Sequence, residues 1–294
     1  MKINAERFIQ RRKECGISQT ALTKGICTQS TVSKFESRGQ VPSLMILNKL
    51  CERLDISIDD LDDEKMNYKN SPRLLDRVEE LMMLEHYRPA VEMMEEVTED
   101  QIKGYQDKMQ FFYLRGMMDT LTNSHTSDTV FNFTQILDKL DEMHRSIYSQ
   151  LAYLGLGILY ARQDQLDKAD FFFGKVIRFL DNLDDKVLEV KAKKSYYNRV
   201  IMMFYYVAEY ENLRERYLDC GARLAVATDL SSQRSYTFFM PRIKLLAANN
   251  AVNEEQTTQT IVRYLDEAIV FARFNKNNVV ELQATALKKE FNKI

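Results

Sequence analysis

Apolar residues recur at three- and four-residue intervals along most of this chain, the period of helices that bury one face. Near the N-terminus the pattern is short and broken, and residues 4–61 read as five short helices. Phe8 and Ile9 face inward in the first, and Gly16 stands where a left-handed C-cap is expected. Ser18 caps a second helix, SQTALTK, closed by Gly25. Thr28 caps a third, TQSTVSKFES, whose Val32 and Phe35 share one face while Gln29, Ser30, Ser33 and Lys34 project from the other. After Leu61 the polar stretch DDEKMNYKNSP reads as a connection. The expected division is a helix-turn-helix domain at 1–64, a linker at 65–72 and an all-α repeat domain at 73–294.

The long region repeats itself. Tyr153, Leu156, Gly157, Tyr160, Ala169 and Phe173 recur 44 residues on as Tyr197, Val200, Ile201, Phe204, Leu213 and Tyr217. Weaker copies start near Phe111 and Phe238, RLLDRVEELMMLEHYRPAVEMMEEV supplies an earlier hairpin, and VVELQATALKKEF a final helix. About five antiparallel helix pairs stacked as an α-solenoid are expected. Tyr, Phe and Met at helical spacing build the interior of such a stack.

Composition agrees with a large helical core: 45% of residues are hydrophobic and 29% charged, with nine Gly and four Pro in 294 residues. The formal charge of −2 conceals an asymmetry. Residues 1–54 carry ten Lys/Arg against four Asp/Glu, whereas the remainder carries 31 against 39. A basic head on an acidic body suits a chain whose head alone approaches phosphate. Cys15, Cys27, Cys51 and Cys220 lack metal-ligand spacing, so buried free thiols are expected, with no metal and no cofactor. The longest apolar stretch is too short to span a bilayer and the start lacks a signal-peptide segment, which predicts a cytoplasmic protein without a membrane partner. No phosphate-cradling loop or nucleophile elbow appears, and Gly155 and Gly157 lie inside a helix, where close packing explains them. An enzyme is not expected.

Two short helices across a tight turn, the second with small polar side chains outward, form a DNA-reading geometry. Gln29 can pair with adenine, Ser30 and Ser33 with any base edge, and Lys34 with guanine or phosphate; Thr28 and Arg38 flank them. A solvated helix face would show the same residue types. The surrounding run is more specific. S-Q-x-x-L at the second helix, S-K-F-E-x-x-G closing the third and P-S-x-x-x-L-x-x-L-C leading into the fourth resemble the Xre/phage-repressor type of helix-turn-helix. That resemblance implies a structural ion pair between Arg12 and Glu36 and a phosphate contact by Gln19. Thr23 replaces the usual small residue, and the turn, with Cys27 near its expected Gly, is one residue short, as in Rgg-like regulators.

In the body, aromatic-x-x-L-G-x-x-Y followed by Ala and Phe resembles the tetratricopeptide pattern in widened units. Inner-helix positions facing the groove are then Leu154 and Ile158 in one unit and Asn198, Met202 and Tyr205 in the next. Asn198 can donate to a peptide carbonyl and accept from a peptide N–H, and Arg199 can hold a carboxylate. A helix-to-helix bond for Asn198 and an internal pair for Arg199 remain open alternatives. The whole chain resembles the Rgg and PlcR group of peptide-sensing transcription regulators. That implies a homodimer, a double-stranded DNA operator, a short linear signalling peptide, and groove Asn residues on peptide backbone with an adjacent Arg, as at Asn198 and Arg199. A ligand-independent phage-type dimeric repressor and a protein-binding scaffold with a vestigial head fit the same residues.

Overall fold

Small polar residues and glycines set the boundaries of the first helices. The computed structural model describes residues 5–54, 56, 58–61, 71–123, 126–183 and 194–291. It places α1 at Ala5–Glu14, α2 at Gln19–Thr23, α3 at Gln29–Arg38 and α4 at Leu44–Arg53, followed by a 3₁₀ turn at Ile58–Leu61 in place of the expected fifth helix. Ser18 Oγ accepts from the Ala21 N–H at 3.1 Å, and Gly16 and Gly25 adopt φ of 65° and 75°. Thr28 occupies the N-cap position of α3, but its hydroxyl makes no cap bond and meets those of Ser30 and Thr31, each at 2.9 Å. Phe8, Leu22, Val32, Phe35, Leu47 and Leu50 form the core, with Phe8 edge-on to Phe35 at 5.1 Å.

The chain divides into Met1–Ser71 and Pro72–Ile294. Of the expected linker, residues 65–70 lie outside the described residues, and 71 and 72 already open a helix. Among the described residues the body shows five pairs and a closing helix. The pairs are α5 (Ser71–Met83) with α6 (Tyr87–Glu95), α7 (Tyr105–Thr122) with α8 (Thr126–Thr134, continued by π-helical Gln135–Leu140), and α9 (Ile147–Arg162) with α10 (Leu166–Asp181). Then come α11 (Lys194–Leu213) with α12 (Tyr217–Gln233), α13 (Met240–Asn253) with α14 (Thr258–Phe274), and finally α15 (Asn278–Phe291). No strand occurs among the described residues.

One stripe recurs on the second helix of each pair, at steps of four, three and four, so that it stays on one face. It reads Thr129-Phe133-Ile136-Leu140, Ala169-Phe173-Val176-Leu180, Cys220-Leu224-Ala227-Ser231 and Ile261-Leu265-Ala268-Ala272; Ala90-Met94-Val97 is a shorter version and Val280-Ala284-Leu287-Phe291 repeats it on α15. The 44-residue repeat holds on the first helices, where Tyr153, Leu156, Tyr197 and Val200 are buried. On the second helices it fails. Leu213, aligned with Ala169, is exposed, and Cys220 and Leu224 take the places assigned to Leu213 and Tyr217. The reason is the helix length beyond the shared aromatic: α11 runs 16 residues past Tyr197, whereas α9 runs nine past Tyr153. Gly116 and Gly155 both face the Phe133 ring, which leaves no space for a methyl group at either. Only Cys51 and Cys220 are buried thiols; Cys27 is half-buried and Cys15 exposed.

The turns explain why few glycines suffice. Glu85, Asp164, Glu215, Glu255 and Lys276 each adopt a left-handed φ between 54° and 61°. The next N–H then bonds back to the helix, as from His86 to Leu81 O at 2.8 Å and from Gln256 to Ala251 O at 2.9 Å. A non-glycine residue in this conformation costs roughly 1–2 kcal/mol. At exposed Glu255, replacement by Gly is expected to raise the unfolding free energy by about 0.5–1 kcal/mol and by Val to lower it by more. Chemical denaturation of the two variants checks this.

Candidate nucleic-acid interface and ligand groove

The head builds its reading helix on one carboxylate. Arg12, at the end of α1, forks onto Glu36 near the end of α3, with Nε to Oε1 at 2.7 Å and Nη2 to Oε2 at 2.9 Å, while Nη1 donates to Ile17 O at 2.8 Å. Gln19 Nε2 donates to the same Glu36 at 2.7 Å, and Gln29 Nε2 donates to Gln19 Oε1 at 2.6 Å. Three helices are thereby held by one chain of side chains. The hydrogen bond to Glu36 raises the Arg12 pKa above its ordinary value, against a smaller opposing effect of burial. Arg53 closes the other side, donating to Leu22 O at 2.9 Å within the short α2 and to Lys24 O at 2.7 Å at its C-cap.

On the outer face of α3, Gln29, Ser30, Lys34 and Arg38 are exposed with Thr28 beside them, and Ser33 is half-buried. Gln19 is half-buried, yet its amide keeps one proton beyond the bond to Glu36. A solvent-facing row of hydrogen-bonding groups thus stands on a helix whose inner face is fixed by Val32, Phe35 and Glu36. Ser37, which the sequence reading did not include, is also exposed and uses its hydroxyl on Ser33 O at 2.6 Å.

In the body, Leu154, Ile158, Asn198, Arg199, Met202 and Tyr205 are all buried, none more than 6% exposed. Asn198, Met202 and Tyr205 follow one another along α11 at steps of four and three, and Glu209 continues the line. Arg199 forks onto Glu79 of α5, Nε to Oε1 and Nη2 to Oε2 both at 2.7 Å. Gln110 Nε2 donates to Glu79 at 2.9 Å and to Asp76 at 3.0 Å, and the guanidinium lies 4.6 Å from the Tyr148 ring centre. Burial alone would lower the Arg199 pKa; the bonds and charge of Glu79 outweigh it and raise it. The sequence contained no signal for Glu79, which lies 120 residues from its partner. The Tyr113 hydroxyl meets Met202 Sδ at 3.8 Å, and the Tyr205 hydroxyl donates to Glu209 at 2.8 Å. Asn198 stands apart: its Oδ1 is buried with no hydrogen-bond partner among the described residues.

No metal-ligating group of three or more His, Cys, Asp or Glu occurs among the described residues, and none of their helices is long and apolar enough to cross a membrane. Residues 9–61 match the Helix-turn-helix family model. No curated protein matches the chain. Solved structures share its fold over nearly the full length. Bacillus thuringiensis PlcR in complex with the peptide PapR7 and DNA has 16% identity and a TM-score of 0.62, covering 99% of each chain. ComR from S. thermophilus in complex with DNA and its signalling peptide ComS has 17% identity and a TM-score of 0.58, covering 98% of this chain and 99% of that one. PlcR in its apo form scores 0.54 at 15% identity, with 98% of each chain covered.

Replacing Glu36 by Ala strands the mostly buried Arg12, and is expected to destabilise the head by about 3 kcal/mol. Hydrogen exchange of α2 and α3 amides in the full chain measures it. Arg12→Lys keeps the charge, loses the fork and should cost less.

Proposed function

We propose that this helix-turn-helix regulator reads a double-stranded operator through α3 as a homodimer, and that its body senses a short linear peptide along the inner line of α11. For DNA, the support is the polar row Gln29, Ser30, Ser33, Lys34 and Arg38 on a helix braced by Arg12 and Glu36, within a basic head. Such a row offers base-edge and phosphate contacts together. One small module makes few contacts, so two heads on paired half-sites supply the selectivity.

For the peptide, the observation that carries the reading is Asn198. A buried amide oxygen left without a donor costs about 1–3 kcal/mol, and an extended peptide brings such a donor in its backbone N–H. The same amide can donate to a peptide carbonyl, gripping backbone without regard to side chains. PlcR and ComR, which share the fold, are each described with a peptide and DNA, which supports the same assignment. A peptide favouring one arrangement of the body shifts the dimer by its differential affinity. The pairing of Arg199 with Glu79 favours a second reading, a ligand-independent dimeric repressor whose groove is filled by its own side chains.

Fluorescence anisotropy on the chain's own promoter, at several salt concentrations, tests the first half. Gln29→Ala is expected to cost about 1–3 kcal/mol on the specific site, and Lys34→Ala to weaken binding on all sequences and flatten the salt slope by about 1. For the second half, calorimetric titration uses synthetic peptides copied from short reading frames beside the gene. Asn198→Leu should leave thermal stability equal or higher while weakening the peptide about tenfold or more. Absence of heat with every peptide, and of any peptide in the purified dimer by mass spectrometry, selects the ligand-independent reading.

A further inference from the structure

From Tyr197 to Glu211 the side chains of α11 are buried with one exception, Glu209. It stands eleven residues after Asn198, which is about three helical turns, so the two share a face with Met202 and Tyr205. Glu209 marks the place where this line meets solvent. Among the described residues its one hydrogen bond comes from the Tyr205 hydroxyl, at 2.8 Å, and no ion pair reaches it. The cations around it are committed elsewhere. Arg242 forks onto Glu85, in the α5–α6 turn, at 2.6 and 3.0 Å. Arg162 donates to Thr120 O and, at 3.2 Å, to Leu121 O, at the negative end of α7.

Loss of solvent among the surrounding helices is the largest influence on the Glu209 carboxyl and raises its pKa, against the Tyr205 bond and the charges of Arg162 and Arg242, which lower it. An anion short of both water and a partner gains more from an arriving cation than one in open water does. With Arg242 offset by Glu85 and Arg162 by the α7 carbonyls, Glu209 is the unbalanced charge at this end of the line. We propose that Glu209 selects the charge of the peptide, binding a cationic group that is either a terminal ammonium or a Lys or Arg side chain. This rests on reading the α11 line as the peptide groove. Eleven residues of helix rise about 16 Å, the span of about five extended residues. The cation therefore lies about five positions from the residue whose backbone Asn198 holds.

The test uses the immobilised full-length chain and a mixed-sequence heptapeptide library, amidated at the C-terminus and made in three forms. The first has a free N-terminus and no basic residue, the second is acetylated with one Lys, and the third is acetylated with no basic residue. Retention is measured by amino-acid analysis. One or both of the cationic forms should be held about tenfold better than the third, and which one identifies the source of the charge. Glu209→Gln keeps an oxygen for the Tyr205 hydroxyl and should abolish the difference, whereas Asn198→Leu should lower all forms alike. Equal retention of the three forms by the parent chain, or a preference that survives Glu209→Gln, overturns the charge selection and leaves peptide sensing standing. No retention of any form overturns both.

Discussion

A helix pair with a single apolar stripe cannot bury that stripe by itself, and the body of this protein is organised by that deficit. Each second helix carries the same stripe, and only stacking against the neighbouring pair removes it from water. The stripe opens with a small residue at Ala90, Ala169 and Cys220, each five positions after a left-handed turn residue at Glu85, Asp164 and Glu215. Short turns bring two backbones together at that end, so a small side chain fits where a large one would wedge the pair apart. Phe133 shows the complementary case, a large ring accepted because Gly116 and Gly155 yield the space.

Charges inside such a stack are tolerated only with partners, since an isolated buried ion costs several kcal/mol. The Glu79–Arg199 pair meets that requirement in full: both carboxylate oxygens are bonded, Gln110 adds a further donor, and Tyr148 lies against the guanidinium. Burial, the largest influence, raises the pKa of the Tyr113 and Tyr148 hydroxyls, so these neighbours stay neutral and the pair keeps its charge balance. Asn198, one residue away, departs from this satisfaction, as does Glu211 Oε2 further along α11.

The head uses the same device for a different end. An Arg fork on a carboxylate fixes α1 to α3, and the two Gln amides extend the lock to α2. Hydrogen bonds to charged groups are stronger than neutral ones, so the inner side of α3 is held firmly while Lys34 and Arg38 stay exposed on its outer face.

Local features were legible in the amino-acid order. Ser18, Gly16 and Gly25 mark helix ends because capping acts between residues a few positions apart, and about five helix pairs with a final helix were expected from the internal repeat and its tetratricopeptide resemblance. The Arg12–Glu36 pairing came from motif resemblance, with the atoms now in place. The left-handed turns at Glu85, Asp164, Glu215 and Glu255 were not legible, because no glycine announces them. Nor was the register of the second helices, since the extra length of α11 shifts every later contact. Above all, the tertiary structure alone decided that Arg199 faces Glu79 and that Arg242 faces Glu85. Such partners are chosen by how successive pairs stack, a long-range geometry to which each residue contributes only a little.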